Sequence, residues 1–207
     1  MHAVDAVVLV PVKAFRDAKA RLTGYLDAEH RARLARWTAE RVIGAAGELP
    51  VYVACDDDEV AEWATSHGAT VLWHPREGLN GAVNSSIDAL RDARISHVVV
   101  AHGDLPRPNG LASVVQPGTI TLVPDRHGDG TNVVALPTAT RLRLSYGPGS
   151  FRRHLAAAMD LGARVEVRRD PLLALDIDTP ADLRHPRVVE VLPPWVPTNP
   201  VNQHTPT

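Results

Sequence analysis

The chain has 207 residues, 44% of them hydrophobic and 22% charged, with a formal net charge of −2, enough to bury a proper core in one domain or at most two. That balance gives no electrostatic case for nucleic acid or an anionic membrane as a general partner, and no apolar run reaches membrane-spanning length or carries a signal-peptide cleavage site. With Cys55 the only cysteine, an intrachain disulfide is excluded and a reducing, cytoplasmic setting is expected; the ten histidines form no tight zinc-like cluster.

Ala6 to Val12 is a continuous apolar run of strand length, the pattern of a strand covered on both faces. It feeds a loop carrying the cations Lys13, Arg16, Lys19 and Arg21. Asp27 and Glu29 open a helix through Ala35, Ala39, Val42, Ile43 and Ala46, which Gly47 can end. A second strand, Val51 to Cys55, leads through Asp56, Asp57 and Asp58 into a short helix carrying Val60, Trp63 and Ala64. A third strand, Thr70 to Trp73, precedes Gly78-Leu79-Asn80-Gly81 and then a helix marked by Val83, Ile87 and Leu90. His97 to Ala101 is a fourth strand, broken at His102-Gly103-Asp104-Leu105-Pro106. Strands alternating with helices indicate an α/β fold with a mainly parallel sheet.

Past Pro117 the rhythm changes. Thr119 to Val123 and Asn132 to Leu136 are strands with no helix between them, so some antiparallel pairing and a mixed sheet are expected. A helix from Ser150 to Leu161 presents Phe151, Leu155 and Ala158 on one face, and a strand over Ala163 to Val167 follows. Leu173-Ala174-Leu175-Asp176-Ile177-Asp178 reads as the end of a buried strand, whose period would point Asp176 and Asp178 to one side. Thr179-Pro180 then suits the start of a helix. These readings give one domain over residues 1–185 and a Pro-rich, loosely ordered tail over 186–207.

In open α/β sheets, ligands settle beyond the carboxyl ends of the strands, and each polar loop here lies beside a strand or helix end. Lys13, Lys19 and Arg21 suit the phosphates of a nucleotide, although no G-x-x-x-x-G-K-[ST] loop is present. Asp104, if it faces Asp176 and Asp178, completes an oxygen-only site of the kind Mg²⁺ takes; an Asx turn before Pro is the plainer reading. Ser150 suits an N-cap, yet Arg152 and Arg153 are of the wrong sign for the first turn unless an anion docks there. Two exposed arginines are the plainer alternative. Gly128, Gly130, Thr131 and Asn132 could line the same anion pocket or form a surface loop. Asn80 could read a base or ribose, or simply cap a helix. No nucleophile stands beside a base, and none is needed if the nucleophile is a phosphate, already largely ionised at neutral pH.

Taken in order, Val10-Pro11-Val12-Lys13, Ala18-Lys19-Ala20-Arg21-Leu22, Gly78-Leu79-Asn80, Gly103-Asp104-Leu105-Pro106, Pro124 to Asn132, Gly147-Pro148-Gly149-Ser150-Phe151 and Leu175 to Pro180 resemble the 2-phospho-L-lactate / phosphoenolpyruvate guanylyltransferases of coenzyme F420 biosynthesis, over about residues 5–185. The resemblance implies a nucleotide-diphospho-sugar-transferase-like three-layer α/β sandwich, related to the molybdenum-cofactor guanylyltransferases. It implies attack on the α-phosphate of GTP by the phosphate of a three-carbon acid. By the same resemblance Asp104, Asp176 and Asp178 bind Mg²⁺ and Lys13, Lys19 and Arg21 hold the triphosphate. Gly78, Leu79 and Asn80 contact the nucleotide, and Thr131, Asn132, Gly147 and Ser150 hold the acid. The Ala- and Arg-rich composition looks like that of a high-GC bacterium, which by family analogy favours phosphoenolpyruvate over 2-phospho-L-lactate. A transferase for 3-phosphoglycerate and a nucleotide-binding regulator without turnover are the alternatives, and a homodimer is left open. His102 departs from the family's usual Pro-Ala-Asp-Leu-Pro, and the tail has no counterpart.

Overall fold

A computed structural model describes residues 5–197. Its centre is a seven-stranded sheet in the order β3-β2-β1-β4-β6-β5-β7, built from β1 (Ala6–Pro11), β2 (Val51–Cys55), β3 (Thr70–Trp73), β4 (His97–Ala101), β5 (Thr119–Pro124), β6 (Thr131–Pro137) and β7 (Arg164–Val167). All pairs are parallel except those β6 makes with β4 and β5. The sheet is therefore mixed and mainly parallel, as the missing helix between β5 and β6 required.

Alternate residues of β1 serve opposite faces, and this sets the layers. Val8 and Val10 pack on the side of α1 (Ala28–Gly44) and α2 (Asp58–Ser66), with Ala39, Val42, Val60 and Trp63. Val7 and Leu9 pack on the side of α3 (Gly78–Asp92) and α4 (Ser150–Asp160), with Val83, Ile87, Leu90 and Ala158. Helix α1 begins where the acids predict: Asp27 is its N-cap and accepts from the His30 amide at 2.8 Å. Asp57 caps α2 in the same way, accepting from the Val60 amide.

Two sequence expectations give way here. Leu173 to Asp178 pairs with no strand and runs as irregular chain. Leu173, Leu175 and Ile177 are buried at every second position, which produces the alternation of a strand without its ladder. The expected tail is packed over its first part: α5 (Pro186–Val189) follows at once. Val188 and Val196 are buried with Leu22, Leu34, Leu175, Ile177 and Leu183 in a third apolar cluster. Arg107 and Glu190 are ion-paired at 2.5 Å, and the Tyr25 hydroxyl donates to the Pro197 carbonyl at 3.1 Å. Proline-rich composition concealed these anchors. The rest of the expected tail lies outside the described residues.

Candidate active site

The chain winds outward from β1 to β3 on one side, then crosses to β4 on the other. The order therefore reverses between β1 and β4, and a crevice opens beyond their carboxyl ends. Lys13 follows β1 there, and His102-Gly103-Asp104 follows β4. The irregular segment carrying Asp176 and Asp178 reaches the same place, fastened by the Ile177 amide, which donates to the Asp104 carbonyl at 3.2 Å. A carboxylate oxygen from each of Asp104, Asp176 and Asp178 then lies within 4.8 Å of the others.

So much negative charge in so little space needs compensation. Lys19 supplies part of it: its ammonium donates to the Ile177 carbonyl at 2.6 Å and sits 3.3 Å from Asp104 and 3.8 Å from Asp178. The residue is buried and its backbone is left-handed, φ 55°, a conformation that costs a non-glycine residue about 1 kcal/mol and persists where the surroundings impose it. Arg21, exposed at the rim, lies 3.6 Å from Asp178. The balance remains negative. Burial, then the charges of Asp104 and Asp178, push the Asp176 carboxyl up to about 7. Burial and Asp104 also raise Asp178, against the pull of Lys19 and Arg21. For Asp104 burial works upward, but Lys19 and His102 outweigh it and hold its pKa down. Its Oδ1 is buried with no hydrogen-bond partner among the described residues, which is costly unless something binds it. Three converging carboxylates with one orphaned oxygen fit a hard divalent cation.

Two cavities meet at this cluster. The larger, about 470 Å³, is lined by Val12, Lys13, Cys55, Asp56, Gly78 and Leu79 among others; the smaller, about 240 Å³, by Arg21, Gly130, Thr131, Asn132, Gly147 and Ser150 among others. His102, Asp104 and Asp178 line both. The predicted residues thus divide into two groups on either side of the acids. Lys13 and Lys19 face the larger space, whereas Arg21 faces the smaller one.

Several predicted side chains are used differently from expectation. Gly78-Leu79-Asn80 forms no loop; it is the first turn of α3. The Asn80 amide is spent on backbone, accepting from the Tyr146 amide at 2.6 Å and donating to the Tyr146 carbonyl at 3.3 Å. Asn84, one turn on, repeats the pattern on Leu144 at 2.9 and 2.8 Å. Asn80 is therefore neither a cap nor a free reader of a base. The Asn132 amide donates to the Leu173 carbonyl at 3.0 Å.

Ser150 is the first residue of α4 rather than its cap; Gly149 caps it, with φ 72° and no side-chain hydrogen bond. Arg153 folds back on the glycine loop and donates to the carbonyls of Pro148 at 2.5 Å and Ser145 at 3.0 Å. Those carbonyls give Arg153 partners within the protein, while Arg152 is exposed. The loop is braced from below as well. Asp129 accepts from the Gly149 amide at 3.0 Å, and Asp125 accepts from the amides of His127, Asp129 and Gly130. A Cβ on Gly130 would stand 2.7 Å from Asp125 Oδ2, so any other residue there would displace the carboxylate that holds these three amides.

Three residues given no role in the sequence reading matter here. Asp182 accepts from the amides of Asp178 at 3.0 Å and Thr179 at 2.6 Å, and from the Thr179 hydroxyl at 2.8 Å, while pairing with Arg126. It shapes the acidic segment. The Tyr146 ring, buried in the smaller cavity, lies edge-on between His102 at 4.6 Å and His154 at 5.0 Å. His102 thus packs against Tyr146, while its Nε2 and the Tyr146 hydroxyl are buried with no hydrogen-bond partner among the described residues. Burial lowers the pKa of His102, and the charges of Asp104 and Asp178 offset this only in part.

The family model described as guanylyl transferase CofC like matches residues 6–186. Proteins named phosphoenolpyruvate guanylyltransferase from Sphaerobacter thermophilus and Conexibacter woesei are 33% and 36% identical over 189 and 192 residues; each alignment covers 87% of this chain, and 91% and 86% of the relative. Among solved structures, a Desulfovibrio desulfuricans protein assigned to the nucleotide-diphospho-sugar transferases superposes with a TM-score of 0.70 at 14% identity, covering 88% of this chain and 86% of that one. A cytidylyltransferase from Leptospira borgpetersenii gives 0.59 at 16%, covering 88% and 84%. These two share the fold.

Proposed function

The chain belongs to the guanylyl transferase CofC like family, and from that premise we propose that it transfers the guanylyl group of GTP to phosphoenolpyruvate, as a step toward coenzyme F420. A phosphate oxygen of the acid attacks the α-phosphorus of GTP. A new P–O–P bond forms, the bond from the α-phosphorus to the bridging oxygen breaks, and pyrophosphate leaves with the electron pair. The observation that carries this reading is the pair of cavities sharing Asp104 and Asp178. Two anionic ligands of unequal size can meet there with their reacting phosphates side by side.

In this reading the larger cavity takes GTP, its base beside Leu79 and its phosphates toward Lys13 and Lys19. The smaller takes the acid, with Thr131, Gly147 and Ser150 about its carboxylate and Arg21 at its open side. Asp104, Asp176 and Asp178 would hold Mg²⁺, which when bound supplies Lewis-acid stabilisation of phosphate charge. Lys19 cannot swing freely, being tied to Ile177 and two of the acids. A cation fixed in advance stabilises developing charge without reorganising during the reaction. No base is required, since the acid's phosphate is largely dianionic near pH 7.

The test is pyrophosphate release from GTP with phosphoenolpyruvate, 2-phospho-L-lactate and 3-phosphoglycerate run in parallel with Mg²⁺. Phosphoenolpyruvate is expected to give the highest kcat/KM, and Asp104→Asn to lower it by about 100-fold or more. GTP binding with no pyrophosphate from any of the three acids would favour a nucleotide-binding regulator.

A further inference from the structure

We propose that His154, buried behind the smaller cavity, is a positioning residue: it accepts from the Ser145 amide, donates to the Thr131 hydroxyl, and so directs the Thr131 hydroxyl proton into the cavity. Nothing in the family resemblance gave this histidine a role. The inference deepens the assignment of that cavity to the acid and rests on it.

The geometry allows one arrangement of protons. The Ser145 amide is a donor and lies 2.8 Å from His154 Nε2, so that nitrogen must be the acceptor and carry no hydrogen. In a neutral imidazole the hydrogen then sits on Nδ1, which lies 3.0 Å from the Thr131 hydroxyl oxygen. Burial and the nearby positive charge of Arg153 keep the ring neutral, its pKa pushed down to about 4. Thr131 Oγ1 therefore accepts from His154. Its own proton is left to donate, and no protein acceptor for it occurs among the described residues. Thr131 is buried and lines the smaller cavity, so the donor is available to an acceptor placed there. A carboxylate or phosphate oxygen is such an acceptor. Without the histidine, the hydroxyl could turn its proton inward and present a lone pair to an anion instead.

The amide isosteres separate the two contacts of the ring. Asparagine can place a donor near the position of Nδ1, and glutamine an acceptor near that of Nε2. His154→Gln is expected to raise KM for phosphoenolpyruvate about tenfold, the worth of one hydrogen bond to a charged group, with KM for GTP and kcat within about twofold. His154→Asn should recover most of that loss. Thr131→Val should behave like His154→Gln, and the double variant should be no worse than Thr131→Val alone. Equal effects of Gln and Asn, a parallel rise in KM for GTP, or additive losses in the double variant would overturn the proposal. Nitrogen-15 NMR of the unliganded full chain gives a readout independent of turnover. The His154 ring should carry its proton on Nδ1, and a proton on Nε2 would refute the assignment. If wild-type protein released no pyrophosphate with any of the three acids, the functional reading would fail while the NMR result still judged the positioning role.

Discussion

Asp104, Asp176 and Asp178 bring three carboxylates together where one buried ammonium and one exposed guanidinium offset them, and the residue-scale chemistry follows from that imbalance. Their grouping was legible through the family resemblance of the motifs around them, since local sequence alone left an Asx turn as the plainer reading of Asp104. The neighbours that orient the site were not legible. His154 is one residue in a helix, and only its distance to Thr131, 23 positions away, gives it meaning. Asn80 looked available because composition cannot show that its amide is already bonded to backbone. His154 also predicts a pH dependence. Its folded pKa is pushed down to about 4, below an unfolded value of about 6.5. In that window the unfolded chain binds a proton that the fold refuses. Stability is therefore complete above the upper value and declines as pH falls toward the lower one. The raised Asp176 carboxyl works in the opposite sense over the same range. From pH 7 to pH 4.5 the urea midpoint of the wild type should therefore fall relative to that of His154→Gln, and a constant difference would show that His154 carries no such linkage.

At the scale of elements, the strands were readable and the acidic segment was not. Val-rich runs in β1 and β4, and the Ile-, Leu-, Val- and Thr-containing run of β5, announce strands buried on both faces. Leu173, Leu175 and Ile177 imitate that signal, yet they are held by loop contacts: the Arg126 amide donates to the Ala174 carbonyl at 2.9 Å and the Ile177 amide to Asp104. The remaining anchor is Asp182, whose carboxyl is kept ionised: burial works against this, but the amides of Asp178 and Thr179, the Thr179 hydroxyl and Arg126 outweigh it. Asp182→Ala leaves those donors unpaired in a partly buried turn. A loss of about 2 kcal/mol in urea-unfolding free energy is expected, with a rise in the Mg²⁺ concentration needed for half-maximal pyrophosphate release. Unchanged Mg²⁺ dependence would show that the acids keep their places without Asp182.

For the whole molecule, the mixed sheet determines where the two cavities fall. The parallel half, β3-β2-β1-β4, opens the larger one at its switch point, and antiparallel β6 begins with Thr131 and Asn132 beside the smaller. The alternation of strands with helices foretold the class of this architecture, while the Pro-rich composition past residue 185 hid its extent, because Val188 and Val196 close the chain onto the cluster beneath the acidic segment. Ending the chain after His185 removes both. Apolar burial of that size is worth about 3 kcal/mol, so the thermal midpoint should fall by several degrees and activity should decline with it. The paired amides of Asn80 and Asn84 have a further consequence. They bolt the first turn of α3, which walls the larger cavity, to residues 144–146, which lead into the smaller. Anyone redesigning base preference by recutting that turn will find the acceptor end dragged out of true unless both asparagines are spared.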